Sequence, residues 1–314
     1  MSTHSPSLWR VLSETWRIII GHPRHFLALS VLFLLPISFA SIIYTFLVQP
    51  TSLHSHYLQS LFLVSTPDPK TGNSQLLISI LYILSVFLFS LCATPSITYS
   101  TFTAFYGKPV KFVSSLKSIL VSFFPLLATL FVTEIILGLI IFAFALLMLV
   151  AYNGLVLLGV EMDYNSGYFL VFVTVIAVFL VGLLVYLLVE WCLSNAVVVL
   201  ESKWGFAPLK RSSYLVKGMR KVARSNMVLF GILGGLSSMW YSNLIANAGG
   251  SSKGWIVVQM AVYVVFSTLL SLYGMAANTV LFVYCKELHG KMVFQRDEEM
   301  GREYVRLATD VNVV

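Results

Sequence analysis

Six long apolar stretches, near residues 26 to 48, 76 to 99, 121 to 152, 168 to 190, 227 to 246 and 255 to 285, constrain this chain more than any other feature. Each is about as long as, or longer than, the roughly 20 residues a helix needs to cross the hydrocarbon of a bilayer. Only 11% of the 314 residues are charged and 58% are hydrophobic, against about a quarter charged in an ordinary soluble domain. A water-soluble globule is excluded. The expected fold is an all-α polytopic membrane protein with six transmembrane helices. The third and sixth runs exceed the need of a perpendicular helix, so they are expected to tilt, kink or project beyond the hydrocarbon, with Pro125 a kink point.

All twenty Lys and Arg fall in the segments between these runs, and their distribution is one-sided. Eighteen lie in the N-terminal segment, the second-to-third loop, the fourth-to-fifth loop and the C-terminal tail, against Lys70 and Lys253 in the remaining loops. Positive charge is retained on the cytoplasmic side, so both termini are expected in the cytoplasm. Ser38-Phe39-Ala40 has the small residues of a signal cleavage site. However, the polar segment before it is long, Pro36 interrupts the apolar run, and cleavage would leave an odd number of spans, so the first span is expected to be retained. Residues 1–285 read as the membrane domain and 286–314 as a cytoplasmic tail. The membrane is expected to be the endoplasmic reticulum or the plasma membrane. Three cysteines, Cys92, Cys192 and Cys285, are too few and odd in number for a disulfide framework; near cytoplasmic span ends, they read as packing residues or palmitoylation sites.

Leu8 to Ile20 puts Arg10, Ser13, Glu14 and Arg17 on one narrow helical face, with an i,i+4 pair expected between Arg10 and Glu14. Apolar residues including Trp9 and Trp16 fill the remaining arc. A helix of this kind lies in the membrane surface. The design recurs before the third span, around Phe112, Leu116 and Leu120, and before the fifth, from Phe206 to Arg224. The three starts are about 100 residues apart, which suggests three hairpins, each preceded by a cytoplasmic amphipathic surface helix.

The fourth-to-fifth loop contains Val199-Leu200-Glu201, Gly205-Phe206-Ala207-Pro208-Leu209-Lys210-Arg211-Ser212, and Leu215-Val216-Lys217-Gly218. This string, carried by Glu201, Gly205, Arg211, Ser212, Leu215 and Gly218, resembles a plant family of six-span membrane proteins of unknown function. More loosely, it is similar to bacterial YciC-like proteins and to the membrane domain of some glycerophosphodiester phosphodiesterases. The resemblance implies six spans and no assigned activity. The phosphodiesterase catalytic domain is absent from this sequence, so that activity does not carry over.

Glu134 stands near the middle of the third run with no Lys or Arg in any run to pair with it. It is expected to be protonated or hydrogen-bonded to a polar residue of another span such as Asn278, Asn243 or Ser271. It reads either as a packing bond or as a proton- or substrate-linked carboxyl. Glu190 and Glu201 are expected to form structural ion pairs with Lys203, Lys210 or Arg211. The seven basic residues Lys203, Lys210, Arg211, Lys217, Arg220, Lys221 and Arg224, with no acid among them, read as binders of anionic lipid headgroups and in part as the topology signal. Gly231 and Gly235, a Gly-x-x-x-Gly, are expected to permit close helix packing within the molecule. His22, His25, His54 and His56 lack a third metal ligand, and no metal, cofactor or nucleic-acid signature is present. His-Glu-x-x-His and Gly-x-x-x-x-Gly-Lys are absent from the sequence. The tail, with five basic and six acidic residues, reads as a short exposed helix from about 286 to 308 that offers a surface to a cytoplasmic protein partner. Together these features suggest a non-enzymatic integral membrane protein that organises anionic lipid or tethers partners at the cytoplasmic face. The alternative is a transporter or lipid-translocating conduit using Glu134. The oligomeric state is not legible.

Overall fold

The computed structural model describes residues 7–45, 69–157, 167–246 and 253–311, with side chains for 7–45, 75–154, 169–245 and 254–290. Apart from the short links between helices, the described residues are helical, with no strand among them. The helices are α1 (Leu8–Gly21), α2 (Pro23–Thr45), α3 (Pro69–Phe105), α4 (Phe112–Leu157), α5 (Gly167–Trp191), α6 (Ser194–Glu201), α7 (Ala207–Val216), α8 (Arg220–Ala246) and α9 (Lys253–Val311). Six of them are long and apolar enough to cross a membrane, and each overlaps one of the six apolar runs.

The long runs became longer still. α4 has 46 residues and passes through Pro125 without a break. At 1.5 Å per residue it extends about 70 Å, more than twice a hydrocarbon thickness of about 30 Å. The surface helix expected before the third span is therefore the opening turns of α4. The segment expected as one helix from Phe206 to Arg224 is split, with α7 ending at Val216 and α8 starting at Arg220. The tail is not a separate helix: its backbone continues α9 to Val311.

The chain forms two compact units. One is built on Phe124–Met227 and Leu281–Val314, the other on Ser7–Phe123 and Val228–Val280. In the second, α1 buries Val11, Thr15 and Ile18 along one stripe at helical spacing. Tyr273 of α9 donates its hydroxyl to the Leu12 carbonyl at 2.6 Å and meets the Trp16 ring edge-on. Glu14 pairs with Arg17 at 3.9 Å rather than with Arg10, a contact three residues apart instead of four.

Pro23 sits at the start of α2, where its missing N–H costs nothing. Ser30–Leu34 then widens into a π-helical turn, and Ser30 donates to the Phe26 carbonyl at 2.8 Å. Hydroxyl contacts join this helix to its neighbours: Ser38 to Thr268 at 3.2 Å, Ser41 to Tyr82 at 3.2 Å, and the Tyr241 hydroxyl donating to Thr45 at 2.6 Å. Between helices in lipid such bonds supply cohesion that apolar burial cannot, because lipid tails are as apolar as leucine; each contributes about 0.6 kcal/mol on average. His25, expected to be without a metal partner set, bonds through Nε2 to Ser100 at 3.0 Å, and Ser100 meets Ser115 at 2.8 Å. His54 and His56 lie outside the described residues.

One packing expectation is overturned. A Cβ added at Gly231, Gly234 or Gly235 would meet nothing within 4 Å, so this stripe does not serve close approach among the described residues. The glycine under contact is Gly274, whose added Cβ would stand 3.3 Å from the Phe230 ring.

Candidate functional site

The first unit contains the loop between the fourth and fifth spans, and its construction begins with a backbone fault. α5 ends at Trp191 and α6 starts at Ser194, so the N–H of Leu193 has no helical acceptor in line. Ser212 of α7 fills the gap. Its hydroxyl accepts from the Leu193 N–H at 3.2 Å and donates to the Glu190 carbonyl at 2.7 Å, at a position with no solvent exposure. One side chain thus ties α7 across the junction of α5 and α6. Leu193, Val197, Leu209, Leu215 and Val216, from these elements, are each 1% exposed or less.

Two carboxylates lie at the edge of this core. Glu190, its side chain 5% exposed, accepts from Arg220 at 2.8 Å on Oε1 and from the Ser213 hydroxyl at 2.5 Å on Oε2. Glu201 receives the Arg211 guanidinium as a fork, Nε to Oε2 at 3.2 Å and Nη2 to Oε1 at 3.5 Å. Lys203 reaches the same carboxylate at 3.2 Å, and Lys286 of α9 reaches it at 3.6 Å. Planar guanidinium and carboxylate match in geometry, which makes the fork the orienting contact. Arg211 also lies over the Tyr214 ring at 5.6 Å, and Tyr214 packs against His289 at 4.8 Å. One carboxylate with three cations leaves a surplus of positive charge.

The turn from α6 to α7 is tight. Ser202 has φ of 52° and Gly205 φ of 70°, both left-handed, and glycine takes that conformation without the steric cost other residues incur. The turn projects Trp204 and Phe206, 69% and 59% exposed. The motif residues of the sequence are accounted for locally. Glu201 and Arg211 form the fork, Gly205 makes the turn, Ser212 bridges the helix junction, Leu215 is in the core, and Gly218 lies in the link from α7 to α8.

The seven basic residues divide into two sets. Lys203, Arg211 and Arg220 are held by Glu201 and Glu190. Lys210, Lys217, Lys221 and Arg224 are exposed and make no ion pair among the described residues. The expected partnership therefore holds for Glu201 with Lys203 and Arg211, but Lys210 is not in it, and Glu190 pairs with Arg220 instead of any of the three expected cations. Lys286, 85 positions along the chain from Glu201, and Arg220 as the partner of Glu190 were not anticipated; no local spacing signals either.

Of the intramembrane candidates, Glu134 is exposed on α4 beside the outward-facing Phe131 and Ile135, with no hydrogen bond or ion pair among the described residues. Asn243 is exposed and Asn278 half-buried, and each has an interaction partner of its own. No group of three or more His, Cys, Asp or Glu stands together among the described residues.

Six apolar helices of spanning length, joined by polar segments that gather charge into ion-paired loops, define a multi-pass integral membrane protein. The chain belongs to the DUF8558 family, a domain of unknown function whose profile matches residues 6–311. No curated protein and no solved structure matches it.

Proposed function

We propose that this is a non-enzymatic membrane protein that gathers anionic lipid headgroups through its fourth-to-fifth loop, with both termini in the cytoplasm. The observation that carries this reading is the division of the basic residues. Three are consumed in holding the loop together, and Lys210, Lys217, Lys221 and Arg224 remain exposed, as do Trp204 and Phe206 of the same loop. Indole and benzyl rings next to lysines are the chemistry of the headgroup boundary. The arrangement of three hairpins with surface helices agrees with helix starts at Leu8, Phe112 and Ala207, about 100 residues apart. The resemblance of the loop motif to plant six-span proteins and to YciC-like proteins points to the endoplasmic reticulum or plasma membrane and supplies no catalysis. The tail, continuing α9, is the surface for a cytoplasmic protein partner.

Each basic residue close to an anionic surface contributes about 1 kcal/mol, so four together correspond to about a thousandfold in affinity at low salt. The test places the full chain in mixed micelles. Energy transfer from its tryptophans to dansyl-phosphatidylserine is compared with transfer to dansyl-phosphatidylcholine. Wild type is expected to prefer the serine lipid, with the preference falling as salt rises. K210Q/K217Q/K221Q/R224Q is expected to lose it while eluting and melting like wild type. An unchanged preference in the variant refutes the assignment.

Glu134 supports a second reading, a conduit for protons or lipid. A carboxyl on an outward apolar face is costly in hydrocarbon, and intramembrane carboxyls that persist commonly serve transport. Glu134→Gln in proteoliposomes should abolish scrambling or proton flux; full activity in the variant removes the motive.

A further inference from the structure

Within the second unit, three helices line a half-open cavity of about 230 Å³ whose wall is rich in hydroxyls and has no ionisable side chain. Ser38 and Ser41 come from α2, Ser90 from α3, and Ser267 and Ser271 from α9, with Leu34 at the end of the π-helical turn. Ser90 stands at the midpoint of the span Gln75–Phe105, and Ser271 one residue from the midpoint of Gly254–Gly290. The cavity is thus central in its spans, where hydrocarbon offers no hydrogen bonds.

Ser38 and Ser41 are satisfied by Thr268 and Tyr82. The hydroxyls of Ser90, Ser267 and Ser271 bond to no described residue, although Ser79, Ser96 and Ser100 all bond back to the carbonyl four residues earlier, as helical serines commonly do. Ser90 and Ser267 are half-buried and Ser271 exposed, so in hydrocarbon these three hydroxyls lining one space favour an occupant with donors and acceptors. A charged occupant would find no counter-charge in the wall. At about 30 Å³ per water, the space equals about eight waters, enough for a group with two or three oxygens on a short carbon chain. The π-helical turn beside it is a feature that recurs at functional sites.

We infer that this cavity binds an uncharged glycerol-type group, presented either as the head of a neutral diacylglycerol-class lipid or as free glycerol. The inference goes beyond the lipid reading above, since it concerns another unit of the fold and an uncharged ligand.

The test uses the full chain in proteoliposomes with a diacylglycerol carrying a photoreactive diazirine next to its glycerol. Crosslinks are mapped by mass spectrometry, and a phosphatidic acid with the same probe serves as the charged comparison. Labelling of the segments around Ser90 and Ser267–Met275 by the neutral probe, at least tenfold above the charged one, is expected. S90A/S267A/S271A should reduce it about tenfold or more, for three hydrogen bonds lost. S271T, which keeps a hydroxyl, should retain it and so separates loss of a ligand from loss of fold. Competition by free dioctanoylglycerol assigns the lipid source, and competition by glycerol alone assigns the aqueous one. Equal labelling by the charged probe, or labelling undiminished in the triple alanine variant, overturns the inference.

Discussion

Replacing Ser212 by alanine removes one oxygen and should cost more than almost any other single change in the first unit. The hydroxyl serves two backbone groups at once, accepting from the Leu193 N–H at 3.2 Å and donating to the Glu190 carbonyl at 2.7 Å, with no exposure to solvent. Leu193 N–H would be stranded beside a core residue that is itself fully buried, costing about 1–3 kcal/mol, and loss of the second bond adds about 1 kcal/mol. The sum is about 2–4 kcal/mol. Labelling of Cys285 by a thiol-reactive fluorophore, separated by peptide mapping from that of the half-buried Cys92 and Cys192, reads unfolding, because Cys285 belongs to the same unit and is fully buried until the unit opens. Ser212→Ala should lower the melting midpoint by several degrees in that assay. Ser225→Ala, at an exposed serine, should stay within about 0.5 kcal/mol of wild type and is the control. If Ser212→Ala melts with the control, the Leu193 N–H has another partner, and the account of the junction of α5 and α6 is refuted.

Gly205→Ala should destabilise by about 1–2 kcal/mol through its φ of 70° alone, since an added Cβ meets nothing within 4 Å; Gly205→Asn should recover most of the loss in the same melt. Glu201→Gln should lower the melting midpoint by an amount equal to about 1–2 kcal/mol, because its three cations are one-third to one-half exposed and can rehydrate. The same variant frees those cations and should raise the preference for dansyl-phosphatidylserine; a fall would contradict the proposed lipid surface. Tyr241→Phe deletes the bonds to Thr45 at 2.6 Å and to the Ser41 carbonyl at 3.2 Å but keeps the stack on Tyr263, so a loss of about 1 kcal/mol is expected in a melt monitored by tryptophan fluorescence.

The six spans are legible in the chain because bilayer thickness imposes a length, and a helix that satisfies its own backbone needs no tertiary partner to be recognised. The apolar runs and the six helices coincide for that reason. So do the starts near Leu8, Phe112 and Ala207, where polar residues interrupt the apolar pattern. Helix continuity was not legible: nothing in the pattern from Phe112 to Leu120 separates a helix lying on the surface from the first turns of one that enters, because both repeat every 3.6 residues. Charge partnership was legible only at short range. Glu201 with Lys203 and Arg211 follows from proximity along the chain, whereas Lys286 arrives from α9 and Arg220 from beyond a helix break that the periodicity did not reveal. Tertiary structure decided which lysines are held and which are left exposed, and it assembled serines from α2, α3 and α9 around one cavity. A serine in an apolar helix looks the same in sequence whether it bonds back to its own backbone or faces a shared space, since the difference lies entirely in what the neighbouring helices present to it.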